Sequence, residues 1–415
     1  MTGSRPHERM ALLVSFLYFF SILAAYYMLR PLREQLAAAV GSTNLWPFWL
    51  GAFIAMLVLT PVFGWLVARF TRERFMPIIY GFFILGLLAF VPAFRAQDEI
   101  GPRLLGIVFY IWLSVFNLLV VSVFWSFMAD IFDNGQARRL FPIIALGGTA
   151  GAIAGPLVAL ALPVESLLFA ASGLLALVLV FVYWLSAWAR RHPSPDRRLE
   201  SSDDVIGGSV WAGLKQLFTT PFLRNMAAVM LLGDAIGTVA YALVADYAGS
   251  HYSDREARKD FFAQLDLITN CLVVVMQVGI TRWILLRFGS AIGIVVPQVL
   301  NVLVLVTAAL IGDMAIVAML VITRAGAYGM HKPAMDSLYT RVSREARYKG
   351  KNVIDTTVWR FGDVLVSGSM ALLAPFAIGV FGYGLAAAVA AMFSGAFGWR
   401  AANSPDLQPE RAGSS

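Results

Sequence analysis

The amino-acid sequence predicts an all-α polytopic membrane protein with twelve transmembrane helices in two six-helix halves and with both termini in the cytoplasm. Three observations predict this fold class: 59% of the 415 residues are hydrophobic, only 14% are charged, and the basic residues concentrate in alternate loops. Soluble domains contain about 25% charged residues. The low charged fraction therefore indicates a chain that is largely embedded in lipid.

Twelve stretches are long and apolar enough to cross a bilayer, which takes about 20 predominantly apolar residues. The predicted spans are residues 11–40, 47–68, 76–94, 104–130, 141–163, 166–188, 225–247, 261–283, 290–311, 314–334, 353–375 and 378–398. A polar stretch rich in Pro, Ser, Asp and Arg follows the sixth span. The predicted organisation is an N-terminal half at 1–190, a central cytoplasmic loop at 191–224, a C-terminal half at 225–400 and a cytoplasmic tail at 401–415.

The distribution of lysine and arginine predicts the orientation. The loops on the side of the N-terminus carry 23 of the 32 basic residues, and five lie on the opposite side: Arg95, Arg103, Arg255, Arg258 and Lys259. Because positively charged loops stay in the cytoplasm, this asymmetry places both termini there. It also explains the formal net charge of +7 without nucleic acid as a partner.

Several classes of function lack support in the sequence. There is no phosphate-binding Gly-x-x-x-x-Gly-Lys-Ser/Thr loop, no His-Glu-x-x-His helix, no Gly-x-Ser-x-Gly elbow and no dinucleotide fingerprint. The lone Cys271 excludes an internal disulfide and a Cys-based zinc site, and the four histidines are scattered. The sequence therefore predicts a protein that is not an enzyme and needs neither cofactor nor metal.

Charged residues inside the spans are the candidate functional residues. A charge near the centre of a bilayer costs roughly 2.5–3.5 kcal/mol, so an ionisable residue there is functional by default. The basic ones are Arg30, Arg33, Arg324 and Arg360, and the acidic ones are Glu34, Asp234, Asp266 and Asp363. Because a guanidinium binds carboxylates and phosphates through two parallel hydrogen bonds, the arginines are predicted to contact an anionic solute. The acidic residues are predicted to form ion pairs or to carry a proton.

The first span predicts a division of roles among its charges. Arg30 and Glu34 are four residues apart on one helix face, so we expect them to neutralise each other. Arg33 points elsewhere around the helix and is expected to keep its charge for another partner. Pro31 is expected to bend the helix. Two further carboxylates near the predicted cytoplasmic ends, Asp130 and Asp355, are interpreted as ordinary interface residues.

Glycines in the fifth span recur every four residues, at Gly147, Gly151 and Gly155. One interpretation is close packing against a neighbouring helix, since the shared face is bare. The other is a resemblance to the Gly-x-x-x-Gly-Pro-x-x-Gly-Gly motif of facilitator antiporters, with Ala159 and Leu160 in place of the last two glycines. That resemblance favours exchange or export.

Six spans, a central loop and six spans resemble the plan of the major facilitator superfamily, in which two repeats rock around a site near the midplane. The stretch GWLVARFTRERF, residues 64–75, resembles the loop signature of that superfamily, with Ala68 in place of an aspartate. Residues 285–290 are a weaker counterpart in the second half.

Three stretches resemble the bacterial and plastid ATP/ADP translocase family. They are LRPLREQLAAA at 29–39, the segment 124–148 and the segment 324–363. In the first, Arg33 and Glu34 stand where the family has lysine and aspartate. The third matches the family at Lys349, Lys351, Asp355, Arg360 and Gly362. This resemblance implies a nucleotide exchanger. In two places the chain departs from the family: Asp363 replaces a lysine, and Met335 and Asp336 replace a Lys-Glu pair. Because these changes remove positive charge, a less charged solute fits as well.

The sequence thus predicts a secondary active transporter that works by alternating access in a bacterial inner membrane. Its expected partners are the lipid bilayer and a small anionic organic solute, with protons as a candidate coupling ion. One alternative is a proton-coupled exporter of drugs, siderophores or other small organic molecules. An alternative of another class is a membrane receptor or scaffold that does not transport.

Overall fold

The computed structural model describes residues 8–69, 72–192, 217–312, 314–342 and 350–407. Every regular element in these residues is helical. The first group of helices is α1 (Arg9–Val40), α2 (Trp46–Arg69), α3 (Arg72–Arg95), the short α4 (Gln97–Ile100), α5 (Pro102–Ile131), α6 (Asn134–Ala161) and α7 (Val164–Arg191). The second group is α8 (Pro221–His251), α9 (Arg255–Val275), α10 (Arg282–Ile311), α11 (Met314–Gly326), α12 (Lys332–Leu338), α13 (Lys351–Val353), α14 (Trp359–Leu373) and α15 (Gly379–Ala402).

Three π-helical segments continue these helices. Met276–Thr281 joins α9 to α10, Ala327–His331 joins α11 to α12, and Ile354–Val358 joins α13 to α14. Each predicted span coincides with helical structure, so the all-α membrane fold is confirmed. The side chains of the loop signature at 64–75 and the predicted motif residue Lys349 lie outside the described part.

Nine helices are long and apolar enough to cross a membrane, counted over the described residues. One of them, the continuous run Arg255–Ile311, has 57 residues. Gly289 breaks this run with non-helical backbone angles, φ 78° and ψ 176°, which a residue without a Cβ adopts at little cost. This kink separates the predicted spans 261–283 and 290–311. The predicted spans 314–334 and 353–375 instead contain the π-helical segments, which shorten their regular α-helical parts.

The chain forms two compact units. The first comprises the described residues within Met1–Val40, Leu50–Val205 and Tyr252–Leu267, and the second comprises those within Gly41–Trp49, Ile206–His251 and Ile268–Ser415. The beginning of α9 therefore belongs to the first unit, although α8 before it belongs to the second. The domain boundaries predicted from sequence remain a prediction.

In the first unit, α1 is the central helix and packs against α5, α6 and α7. The closest approach is to α6, where a Cβ added to Gly147 or Gly151 would collide with the carbonyl oxygens of Phe16 and Phe20. A Cβ on Gly155 would lie 2.7 Å from the carbonyl oxygen of Ala24. The glycine stripe thus packs directly on the backbone of α1, as its packing interpretation predicts.

In the second unit, α15 packs against both α8 and α10, and α14 packs against α8. Small residues again allow the contact: a Cβ on Gly384 would lie 2.9 Å from the Cβ of Ala309. The apolar core of this unit includes Phe222, Met226 and Ile294, which are fully buried. This packing holds α8 and α14 side by side, and both helices carry predicted site residues.

Candidate functional site

The first unit contains a buried group of four charges, here called the α1 cluster: Arg30, Arg33, Glu34 and Asp266. The Arg30 guanidinium donates from Nε to Glu34 Oε1 at 3.3 Å, and its Nη1 forms an ion pair with Asp266 Oδ1 at 3.1 Å. Arg33 Nη2 donates to the same Glu34 oxygen at 2.6 Å. Arg30, Glu34 and Asp266 expose only 8%, 2% and 2% of their surface. Since burial of a lone charge costs several kcal/mol, pairing each carboxylate with a guanidinium is what makes this group tolerable.

Aromatic rings complete the environment of the α1 cluster. The Arg33 guanidinium lies over the ring of Tyr110, 4.6 Å from its centroid, and Arg30 lies 5.7 Å from the centroid of Tyr27. A guanidinium over an aromatic face is attracted by the negative charge of the ring face. The rings therefore hold the guanidinium planes in place while leaving their edges to hydrogen-bond.

Two expectations for this region have different outcomes. The pairing of Arg30 with Glu34 is confirmed. The expectation that Arg33 stays apart from Glu34 is wrong, because the long arginine side chain folds back along the helix and makes the shortest ion pair of the cluster. The helix itself continues through Pro31. Any solute that binds Arg33 must therefore share or displace a carboxylate.

The second unit contains another group, here called the α8–α14 cluster: Asp234 and Thr238 on α8, and Arg360 and Asp363 on α14. Thr238 Oγ1 donates to Asp363 Oδ1 at 3.0 Å, and Arg360 Nη1 donates to Asp363 Oδ2 at 3.2 Å. Both oxygens of Asp363 thus accept a hydrogen bond. The Arg360 side chain is 27% exposed, compared with 11% for Arg33, so its guanidinium is the more accessible of the two.

Asp234 is held against the backbone of α14. Its Oδ2 atom lies 2.5 Å from the position that a Cβ of Gly362 would occupy. The carboxyl group also interacts electrostatically with Asp363 and Arg360 and forms a side-chain hydrogen bond with Trp359. A side chain at position 362 would require this carboxyl group to move.

The other predicted arginine, Arg324, is partly buried on α11. It lies just before the π-helical segment Ala327–His331, and Arg360 lies just after the segment Ile354–Val358. Short π-helical segments are frequent at functional sites, since they rotate the following side chains around the helix axis. Convergence of the four arginines on one solute remains a prediction.

The sequence interpretation missed a polar group in the second unit. The side chain of His331 is buried, and its Nδ1 lies 3.3 Å from both Gln298 Nε2 and the Ile294 carbonyl oxygen. Asn301 donates to Gln298 at 3.2 Å. Gln298 and Asn301, three residues apart on α10, indicate a polar stripe on one helix face. Nothing in the sequence indicates that this stripe contacts His331, about 30 residues later. Thr238 was missed for the same reason.

A partly exposed ion-pair network joins α12 to α13 and the π-helical segment that follows α13. It consists of Lys332 and Asp336 on α12, Lys351 on α13 and Asp355 in Ile354–Val358. Lys351 Nζ lies 2.6 Å from Asp355 and 3.2 Å from Asp336, and Lys332 Nζ lies 3.3 Å from Asp355. Burial lowers the pKa of Lys351, but the hydrogen bond and charge of Asp355, together with Asp336, outweigh it and raise the pKa above its usual value. Among the described residues, no group of three or more His, Cys, Asp or Glu side chains could hold a metal ion.

A bundle of membrane-length helices that buries paired charges in both units defines the chain as a multi-pass membrane protein with the architecture of a solute transporter. The sequence profile of the Major Facilitator Superfamily matches residues 11–366, and the chain belongs to this superfamily.

Known relatives and structures agree with this family. The chloroplastic ADP,ATP carrier protein 2 of Arabidopsis thaliana is 23% identical over 88% of this chain, which spans 68% of that carrier. Carrier protein 1 of the same plant is also 23% identical, and the chain spans 64% of its length. Among solved structures, the nucleoside transporter NupG has a TM-score of 0.66 at 14% identity, covering 96% of this chain and 98% of its own. A bacterial homologue of the iron transporter ferroportin has a TM-score of 0.67 at 15% identity, covering 95% and 98%. These structural likenesses establish the fold.

Proposed function

We propose that this chain is a secondary active transporter that moves a small organic solute with an anionic group by alternating access. Arg30, Arg33, Arg324 and Arg360 are the proposed solute contacts. The observation that carries the proposal is the state of Arg33 and Arg360: each guanidinium holds one carboxylate within its own unit. A carboxylate or phosphate of a solute has the same geometry as these partners and can replace or share them.

The charge balance sets the class of solute. The α1 cluster carries two positive and two negative formal charges, and the α8–α14 cluster carries one positive and two negative. A singly charged anion can take the place of one internal carboxylate at a guanidinium, whereas each further negative charge faces the remaining carboxylates. A monoanionic organic solute therefore suits either cluster better than a triphosphate.

Exchange of nucleotides is the second candidate, supported by the resemblance in three stretches and by the two plant carriers. The proposed location is a bacterial inner membrane, and the chloroplastic names of these carriers make a plastid membrane the second location to test.

The test is counterflow into proteoliposomes with labelled ATP, ADP and a panel of mono- and dicarboxylates. We expect counterflow of a monoanion that is abolished in Arg33→Ala and in Arg360→Ala, with both variants folded and inserted. Arg95→Ala, which removes an exposed arginine at the end of α3, is the matched control and should retain full counterflow. Full transport by either site variant would remove that residue from the site.

The same assay separates the alternatives. Exchange restricted to ATP and ADP would mean that the solute is a nucleotide and not a monoanion. Efflux driven by a pH gradient without counterflow of any of these anions would favour the exporter. A protein that shows no flux with any substrate of the panel or with a drug panel would favour a receptor or scaffold.

A further inference from the structure

The carboxyl group of Asp234 shares its neighbouring cation, Arg360, with a second carboxylate, Asp363. The Oδ2 atom of Asp234 is buried and accepts no hydrogen bond from any described residue. This atom lies close to Gly362, where a Cβ would be 2.5 Å from it. A buried carboxylate oxygen without a donor loses its hydration and receives nothing in return, which costs about 1–3 kcal/mol or more for a charged group.

A second carboxylate makes the ionised form of Asp234 still less favourable. Asp363 follows Gly362 directly in sequence and interacts electrostatically with Asp234. The hydrogen bonds from Thr238 and Arg360 both go to Asp363, which fixes the negative charge there. Two carboxylates that share one site do not both ionise readily.

The elements packed against α8 supply few other ionisable groups. On α14 these groups are Arg360 and Asp363, and on the segment Ile354–Val358 before it the group is Asp355. On α11 the basic residue is Arg324, and on α15 it is Arg400, in the last turn. Arg360 and the neutral indole of Trp359 act on Asp234, but Arg360 Nη1 donates to Asp363. The segment Ser42–Asn44 contributes no ionisable side chain. The cation that acts on this carboxyl group is therefore shared with a competitor.

We propose that Asp234 is a proton-binding site: its carboxyl group is protonated and neutral at neutral pH while Asp363 is ionised and paired with Arg360. A proton on Asp234 removes the buried charge and turns the carboxyl group into a donor. The α8–α14 cluster then carries a net formal charge of zero instead of −1, which favours an anion at Arg360. Loss of the proton would return this sum to −1 and weaken anion binding, so the proton and the anion would move together. This coupling rests on the proposed transport function, whereas the protonation itself does not.

Infrared spectroscopy tests the protonation without any solute. A protonated carboxyl group has a carbonyl stretching band that is separate from the bands of ionised carboxylates and shifts in D₂O. In the purified full-length protein at neutral pH, we expect such a band, with a component equal to one carboxyl group lost in Asp234→Asn. The matched control is Asp246→Asn on the same helix, because the Asp246 carboxylate accepts a hydrogen bond from the Ser42 amide at 2.7 Å. That variant should leave the band unchanged.

Two results would overturn the proposal. One is the absence of a protonated carboxyl band in the wild-type protein at neutral pH, which would mean that solvent or another donor satisfies the ionised group. The other is an unchanged band in an Asp234→Asn protein that elutes as a folded species in size-exclusion chromatography. Neither result depends on whether a transported solute has been found, so failure here is separate from failure of the proposed function.

The coupling has its own readout in proteoliposomes. With a carboxylate that the wild-type protein exchanges, uptake by Asp234→Asn, measured relative to its own rate without a gradient, should not be accelerated by an inward pH gradient. An Asp234→Asn protein that still responds fully to the gradient would refute the coupling.

Discussion

The α1 cluster and the α8–α14 cluster contain the same kinds of charge but differ in how they are satisfied. In the α1 cluster two guanidiniums and two carboxylates are paired at 2.6–3.3 Å, deep among helices. In the α8–α14 cluster two carboxylates face one guanidinium, and the hydrogen bond of that guanidinium goes to Asp363. The comparison teaches that two guanidiniums can neutralise two buried carboxylates by pairing, whereas one guanidinium between two carboxylates leaves one of them for the proposed proton.

The largest expected effect comes from breaking the paired cluster. Arg30→Met should destabilise the protein by about 3–5 kcal/mol, because it leaves the buried Asp266 without its guanidinium. Arg360→Met should cost roughly 1–3 kcal/mol, since Asp363 keeps the hydrogen bond from Thr238 and is nearer to solvent. Thermal unfolding of the detergent-purified variants, monitored by size exclusion with fluorescence detection, measures the difference.

A compensating variant is the control for that prediction. Arg30→Met combined with Asp266→Leu removes both members of one pair and should regain most of the lost stability, since apolar replacement of a buried pair is often neutral or better. If the double variant unfolds as easily as the single one, the loss is due to packing of the arginine stem and the pairing argument fails.

The next effect tests the helix that carries the paired cluster. Gly151→Ala should destabilise the first unit by about 1–3 kcal/mol, because the added Cβ meets backbone atoms of α1 that can move only with the whole helix. Gly173→Ala on α7 is the matched control: a Cβ there would have no described neighbour within 4 Å. The two unfolding temperatures are compared directly. Equal temperatures would show that α1 and α6 separate easily, and the α1 cluster could then not be called rigid.

A corresponding pair of variants perturbs the second cluster without breaking an ion pair. Gly362→Ala should displace the Asp234 carboxyl group at a cost of only about 1 kcal/mol, since the atom that must move is the end of a side chain. It should shift or remove the protonated carboxyl band. Gly368→Ala on the same helix meets none of the described atoms within 4 Å and should leave the band unchanged. An unaltered band in Gly362→Ala would show that the close contact with α14 does not control Asp234.

Features that depend on residues close together in the sequence could be predicted, and contacts between distant residues could not. The helices could be predicted because about 20 apolar residues in a row have one stable solution in lipid. The pairing of Arg30 with Glu34 could be predicted because both lie on one helix face. The glycine spacing in the fifth span also predicted close helix packing correctly, although the sequence did not indicate which helix is the partner.

The contacts that could not be predicted join helices far apart in the chain. Asp266 was a candidate without a partner, and the structure pairs it with Arg30, at the other end of the first unit's sequence. The reach of a long side chain defeated the expectation for Arg33, because helix geometry fixes the Cβ direction and leaves a guanidinium several ångströms of freedom. The role of Gly362 required knowledge of what lies opposite it. Pairing across helices depends on tertiary packing, which hydropathy and spacing do not encode.

The smallest expected effect concerns the Lys332, Asp336, Lys351 and Asp355 network, which shows what pairing contributes where water is available. Asp355→Asn should cost less than about 1 kcal/mol, because Lys351 keeps Asp336 at 3.2 Å and solvent screens what is lost. The raised pKa of Lys351 means that the contribution of this pair is complete at neutral pH and disappears only as the pH rises through that pKa in alkaline solution. Unfolding temperatures of wild type and Asp355→Asn at neutral pH should therefore differ by little, and about 1 M salt, where the screening length falls to roughly 3 Å, should remove the difference. A large loss of stability in Asp355→Asn that persists in high salt would mean that this network is shielded from water as the α1 cluster is. The contrast between buried and exposed ion pairs would then no longer explain why only the buried charges are candidates for solute binding.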